Sequence, residues 1–153
     1  MDHPDENYAS VKYRAIKKLE RDMGPLLLST LHDPRTIEIM LNADGKLWVE
    51  RLGKKMECFG LLRVAQSEAI IKTVAGFHGK GVTTGNPILE GEFPIDGSRF
   101  AGQLPPIVPF PTFAIRKRAV AIFTLTQYVD AGIMTVAQYD AIKASIVAHR
   151  NIL

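Results

Sequence analysis

The tetrapeptide Asn42-Ala43-Asp44-Gly45 sits between two short runs, Thr36 to Leu41 (TIEIML) and Lys46 to Leu52 (KLWVERL). Asp-Gly supplies the positive φ that a tight turn needs, and the first run alternates and is β-branched early. The pair therefore predicts an antiparallel hairpin. Gly53-Lys54-Lys55 turns the chain again, and Met56 to Leu62 is a third strand candidate. Such a meander buries one face and leaves charges such as Glu50 and Arg51 near water.

The segments around the meander read as helices. Val11, Ala15, Ile16, Leu19 and Met23 recur at spacings of three and four, which predicts a helix over Tyr8 to Met23. Gly24-Pro25 is a stop signal, and Leu26, Leu27, Leu28 and Leu31 beyond it read as a final apolar turn. After the meander, Ile70, Ile71, Val74 and Phe77 form one stripe, predicting a helix over Ser67 to Phe77 with Ser67 as N-cap. Three more strand candidates follow: Ile88 to Glu92, Arg99 to Leu104 and Thr112 to Arg116. Asp96-Gly97 and the Pro105–Pro111 segment separate them. From Arg118 the period is helical again. Val120, Phe123, Leu125 and Tyr128 lead to a stop at Gly132, and Thr135 with Gln138 fits a capping box before Val136, Tyr139, Ile142, Ile146 and Val147. The fold class is α+β.

Composition narrows the function classes. No apolar run approaches the roughly 18 residues of a membrane span. The first ten residues are polar and acidic, unlike a secretory signal. The single cysteine, Cys58, excludes a disulfide framework and fits a reducing cytoplasm. A net charge of +3 suits an anionic partner, although solubility accounts for it equally. Aromatic content of 8%, with no interleaving of basic and aromatic residues, gives direct nucleic-acid binding little support.

Most site chemistries fail on spacing. In Gly76 to Gly85 (GFHGKGVTTG), Gly79-Lys80 is followed by Gly81 and preceded at the first required glycine by Val74, so the segment is not GxxxxGK[ST]. His3, His32, His78 and His149 lie tens of residues apart, and neither HxxxH nor CxxC occurs. No GxSxG elbow is present. The better signal lies in Gly91 to Lys117, which carries Pro94, Pro105, Pro106, Pro109 and Pro111 and two arginines set in apolar runs, Arg99 and Arg116. Guanidinium groups stay charged and grip phosphate oxygens bidentately. A solvated basic patch, Arg116-Lys117-Arg118, is the plainer alternative.

Taken together, LEGEFPIDGSRF (89–100), Leu104-Pro105-Pro106 and Phe113-Ala114-Ile115-Arg116-Lys117 resemble the secretion-ATPase superfamily, and within it the ring ATPases of conjugative transfer and type IV secretion. Ile37 to Asn42, Gly45 and Leu47 to Glu50 resemble the N-terminal domain of that family, and Asn151-Ile152-Leu153 the start of the strand that enters its phosphate loop. The resemblance implies a PAS-like N-terminal domain over residues 1–110, a linker over 111–118, and the start of a RecA-like motor domain over 119–153. It implies ATP with Mg²⁺ bound between the domains of a longer cytoplasmic protein. That protein would form a homo-hexamer, peripheral at the inner membrane and engaged with secretion or conjugation machinery. Arg99 and Arg116 correspond to arginines the family directs at the nucleotide phosphates, with Lys117 assisting. The family's phosphate loop and metal ligands fall beyond Leu153, so the chain by itself is not expected to hydrolyse ATP. The alternative is a non-catalytic module that docks to membrane-associated secretion partners or to an anionic membrane surface.

Overall fold

The hairpin turn forms as its chemistry requires. Gly45 has φ 79°, and the Asp44 carboxylate accepts a hydrogen bond from the Lys46 backbone N–H at 3.0 Å. The computed structural model describes residues 4–118 and 123–152, which belong to two compact units, Met1–Val120 and Ala121–Leu153. In the first unit the order is α1 (Pro4–His32), β1 (Thr36–Leu41), β2 (Lys46–Arg51), β3 (Glu57–Leu61), α2 (Val64–Phe77), β4 (Ile88–Glu92), β5 (Arg99–Gln103) and β6 (Thr112–Arg116). The second unit holds α3 (Leu125–Asp130) and α4 (Val136–Val147).

The six strands form one sheet in the order β3-β2-β1-β6-β5-β4, and every neighbouring pair is antiparallel. β1 is therefore hydrogen-bonded to β6, which follows it by some seventy residues, and the two hairpins on either side are joined through that central pair. Residues 111–118, expected to link two domains, instead contain β6, paired on both edges, and the two units divide after residue 120. The first unit is α+β, as the periodicities require.

One face of the sheet is covered. Leu19, Met23, Leu27 and Leu31 of α1 and Ile70, Ile71 and Val74 of α2 share a core with Ile39, Leu41, Leu47, Val49, Leu89, Phe100, Phe113 and Ile115 of the strands. The alternate residues of each strand point the other way. Phe93, Phe100 and Phe113 stack in series, with ring centroids 5.6 and 5.8 Å apart, and tie the β4–β5 turn into the core.

Two helix boundaries differ from the sequence reading. Gly24 does break α1, with φ 72° and ψ 171°, but the chain re-enters a helix at Pro25 and runs to His32. Proline suits a first helical turn because its missing N–H has no intrahelical partner there. Ser67 does not cap α2. The helix begins at Val64 after Arg63, and the buried Ser67 hydroxyl donates to the Val64 carbonyl at 2.8 Å. In the second unit both helices start with a capping box, Thr124 with Gln127 and Thr135 with Gln138. Val120 and Leu153, assigned above to a helix and a strand, lie outside the described residues, and Asn151 and Ile152 are in no strand.

Candidate functional site

Register determines the site. On the uncovered face of the sheet, Glu92 of β4 lies opposite Arg99 of β5, Arg99 opposite Arg116 of β6, Arg116 opposite Glu38 of β1, and Glu38 opposite Glu50 of β2. The two arginines singled out from sequence are thus direct cross-strand neighbours, whose Cβ atoms stand about 5 Å apart in such a pair. Both are exposed. Among the described residues neither guanidinium has an ion-pair or hydrogen-bond partner, although carboxylates occupy the flanking register positions.

The pair stands between two shallow clefts of different character. The first, of about 410 Å³, is lined by Glu38, Glu90, Gly91, Ala101 and Ala114 together with the two arginines. Small residues floor it and carboxylates rim it. The second, of about 270 Å³, lies where the chain leaves β6 and is lined by Arg99, Arg116, Lys117 and Arg118. Its four lining residues are all basic. The positive potential therefore concentrates at the β6 exit.

Lys117 borders this second cleft, but its ammonium is engaged elsewhere. Nζ donates to the Leu31 carbonyl at 2.6 Å, satisfying an orphan acceptor in the last turn of α1 where the helix dipole favours a cation. The backbone N–H of Lys117 also donates to the Ile37 carbonyl at 2.9 Å, which fixes the chain at the end of β6. Arg118 was legible only as part of a basic run. The structure turns it over the β4–β5 turn, where its guanidinium reaches Glu92 at 3.5 Å. Gly97 leaves room for it: with φ 71° it takes up the left-handed conformation, and a Cβ there would lie 3.2 Å from Arg118 Nη2. Asp96 completes that turn by accepting from the Ser98 N–H at 3.0 Å. No group of His, Cys, Asp and Glu among the described residues is arranged to hold a metal ion.

No family model matches the chain. Two curated proteins do. The probable conjugal transfer protein TrbB of Sinorhizobium fredii is 44% identical over 140 residues, and the conjugal transfer protein TrbB of Rhizobium radiobacter is 41% identical over the same length. Both alignments take in 92% of this chain, including the strands that carry the site. Over that span, the chain is similar to the TrbB conjugal transfer proteins. It spans 43% of the length of each of these relatives. Among solved structures, the VirB11 ATPase of the Brucella suis type IV secretion system, crystallised with sulphate, matches with a TM-score of 0.68 at 19% identity. That match covers 92% of this chain and 45% of the VirB11 chain, and it speaks to the shared fold. In this chain, then, the paired arginines lie on the open face of an α+β domain. Nothing in the local sequence pattern joins Arg99 to Arg116. That depends on β5 and β6 pairing in this register.

Proposed function

We propose that this chain is the N-terminal part of a ring ATPase that drives conjugative transfer or type IV secretion. Its open sheet face would present Arg99 and Arg116 to the phosphates of an ATP bound mainly by the rest of the longer protein. The observation that carries this reading is the unpartnered arginine pair. Like charges placed directly opposite on a sheet destabilise it, by roughly 0.2–1 kcal/mol. A fold that keeps two such groups side by side, with no carboxylate bridging them, is set up for an anion from outside. Two adjacent guanidinium forks fit phosphate oxygens, and charge that develops on a transferring phosphoryl group is strongly stabilised by arginine. The sulphate in the VirB11 crystal, a tetrahedral dianion bound by a protein of this fold, is consistent with that chemistry.

Lys117 adds charge from the rim of the cleft while its ammonium stays on Leu31. Mg²⁺ is assigned no ligand among the described residues. The PAS-like character of the first unit, the RecA-like identity of the second, the homo-hexamer and a cytoplasmic position peripheral to the inner membrane belong to the same proposal. They rest on kinship with TrbB and VirB11 proteins.

The test uses the longer protein that carries this region. Arg99→Ala and Arg116→Ala should each lower ATP turnover by about a hundredfold or more, in keeping with the loss of an arginine that meets transition-state charge. Unchanged turnover in both variants would remove the assigned role. The docking-module alternative has its own support in Ile107 and Phe110, which are 49% and 51% exposed in the proline-rich β5–β6 connection. It predicts that Ile107→Asp with Phe110→Asp abolishes partner binding, and that the arginine variants leave turnover unchanged.

A further inference from the structure

The arginine pair offers an anion two sides, and the structure distinguishes them. On one side Glu38 and Glu90 rim the cleft, so a phosphate there meets carboxylates as well as guanidiniums. On the other, all four lining residues are basic. We propose that the anion sits on this second side, at the exit of β6, and that Arg118 is its third guanidinium ligand, released from Glu92 when the anion binds. This deepens the phosphate reading of Arg99 and Arg116 and rests on it.

Three observations support the exchange. The Arg118–Glu92 contact is long, 3.5 Å, and both side chains are open to water, with 74% and 71% of their side-chain surface accessible. Such an ion pair holds weakly. The guanidinium lies over Gly97, where no side chain blocks its movement and where any Cβ would crowd it. Glu92 itself is fixed at the backbone, its carbonyl accepting a hydrogen bond from His78 Nε2 at 2.6 Å, so its exposed carboxylate competes for Arg118 from an anchored strand position. A phosphate group held already by Arg99 and Arg116 offers Arg118 two oxygens for a bidentate pair, at higher charge than a single carboxylate.

The two members of the Arg118–Glu92 pair should therefore act in opposite directions. Inorganic tripolyphosphate is titrated into the 153-residue chain by calorimetry at low, fixed ionic strength. Arg118→Ala should weaken binding about fivefold, and Glu92→Gln should strengthen it by about two- to fivefold, the scale of single exposed charge interactions. Both groups lie at the surface, so both variants should keep the wild-type melting temperature, and Arg118→Lys should recover only part of the loss because a single ammonium lacks the fork. If the ion pair merely supports the turn, the two substitutions will change affinity in the same direction, and the proposal fails. It also fails if Arg118→Ala is neutral while Arg99→Ala abolishes binding, a result that leaves the broader phosphate reading standing. A neutral Arg99→Ala removes the broader reading instead.

Discussion

Gly102 gives the sharpest test of how the sheet is seated. It lies on the inner face of β5, opposite Leu89 of β4 and Phe113 of β6, and beneath α2. A Cβ at that position would come within 2.9 Å of Phe100 Cε1 and 3.2 Å of both Cγ1 and Cγ2 of Ile71. Neither neighbour has room to withdraw: Phe100 is 2% exposed and stacked between two rings, and Ile71 is fully buried. Overpacking of this kind costs about 1–3 kcal/mol. Exchanging glycine for alanine in a strand returns roughly 0.5–1 kcal/mol of backbone entropy. The net loss for Gly102→Ala then lies within about 0–2.5 kcal/mol, with the midpoints giving about 1.25 kcal/mol. Unfolding entropy of about 2.1 cal/mol/K per residue over the about 115 described residues of the first unit makes each kcal/mol worth roughly 4 °C. Thermal melts should therefore fall by about 5 °C, and by no more than about 10 °C. The outward-facing neighbour is the control, since Ala101→Ser should move stability by less than about 0.5 kcal/mol. A Gly102→Ala protein that melts at or above the wild-type temperature would refute both the register of β5 and the close seat of α2 upon it.

Two further outcomes follow from the anchors at the end of α1. The Asp33 carboxyl is held below its ordinary pKa, first by the hydrogen bond it accepts from the Arg35 backbone N–H and then by the Arg51 guanidinium at 3.0 Å. Because the folded-state value is the lower one, its contribution is present above the unfolded value of about 4 and is lost as pH falls through the folded value. Melting temperatures of wild type and Asp33→Asn should thus differ above about pH 4 and converge in stronger acid. Lys117→Met removes the bond to Leu31 and should cost about 1–2 kcal/mol of stability in denaturant melts. Its effect on tripolyphosphate affinity should be much smaller than that of Arg99→Ala.

The strands were legible wherever turn chemistry marked them. β1, β4 and β6 begin and end at the residues assigned to them from sequence, and Asp44-Gly45 and Asp96-Gly97 make the turns assigned to them. Helix ends were harder to place, since the local signals carry two meanings. Gly24-Pro25 is both a good stop and a good start, and only the burial of Leu27 and Leu31 beside Leu19 and Met23 shows that the helical path resumes. Serine favours caps, yet Ser67 bonds back to its own first turn once Val64 and Ala65 are drawn into α2.

The arginines could be picked out as residue types; their partnership could not. It depends on β6 inserting between β1 and β5, a long-range pairing that hydrophobic periodicity does not encode. The same pairing turned Lys117 toward Leu31 and brought Arg118 to the cleft, separating three consecutive basic residues into two jobs. Alternation of side chains along a strand gave the means to see this only once β6 was known to pair with both β1 and β5.

The central claim is that Arg99 and Arg116 form one half of a phosphate site. The most direct measurement follows the side-chain Nε–Hε resonances of the 153-residue chain as tripolyphosphate is added. The account predicts that the resonances of Arg99 and Arg116 move together along one saturable curve, and that Arg99→Ala removes the response of Arg116. Saturable binding that persists at unchanged affinity when both arginines are replaced by alanine would contradict it.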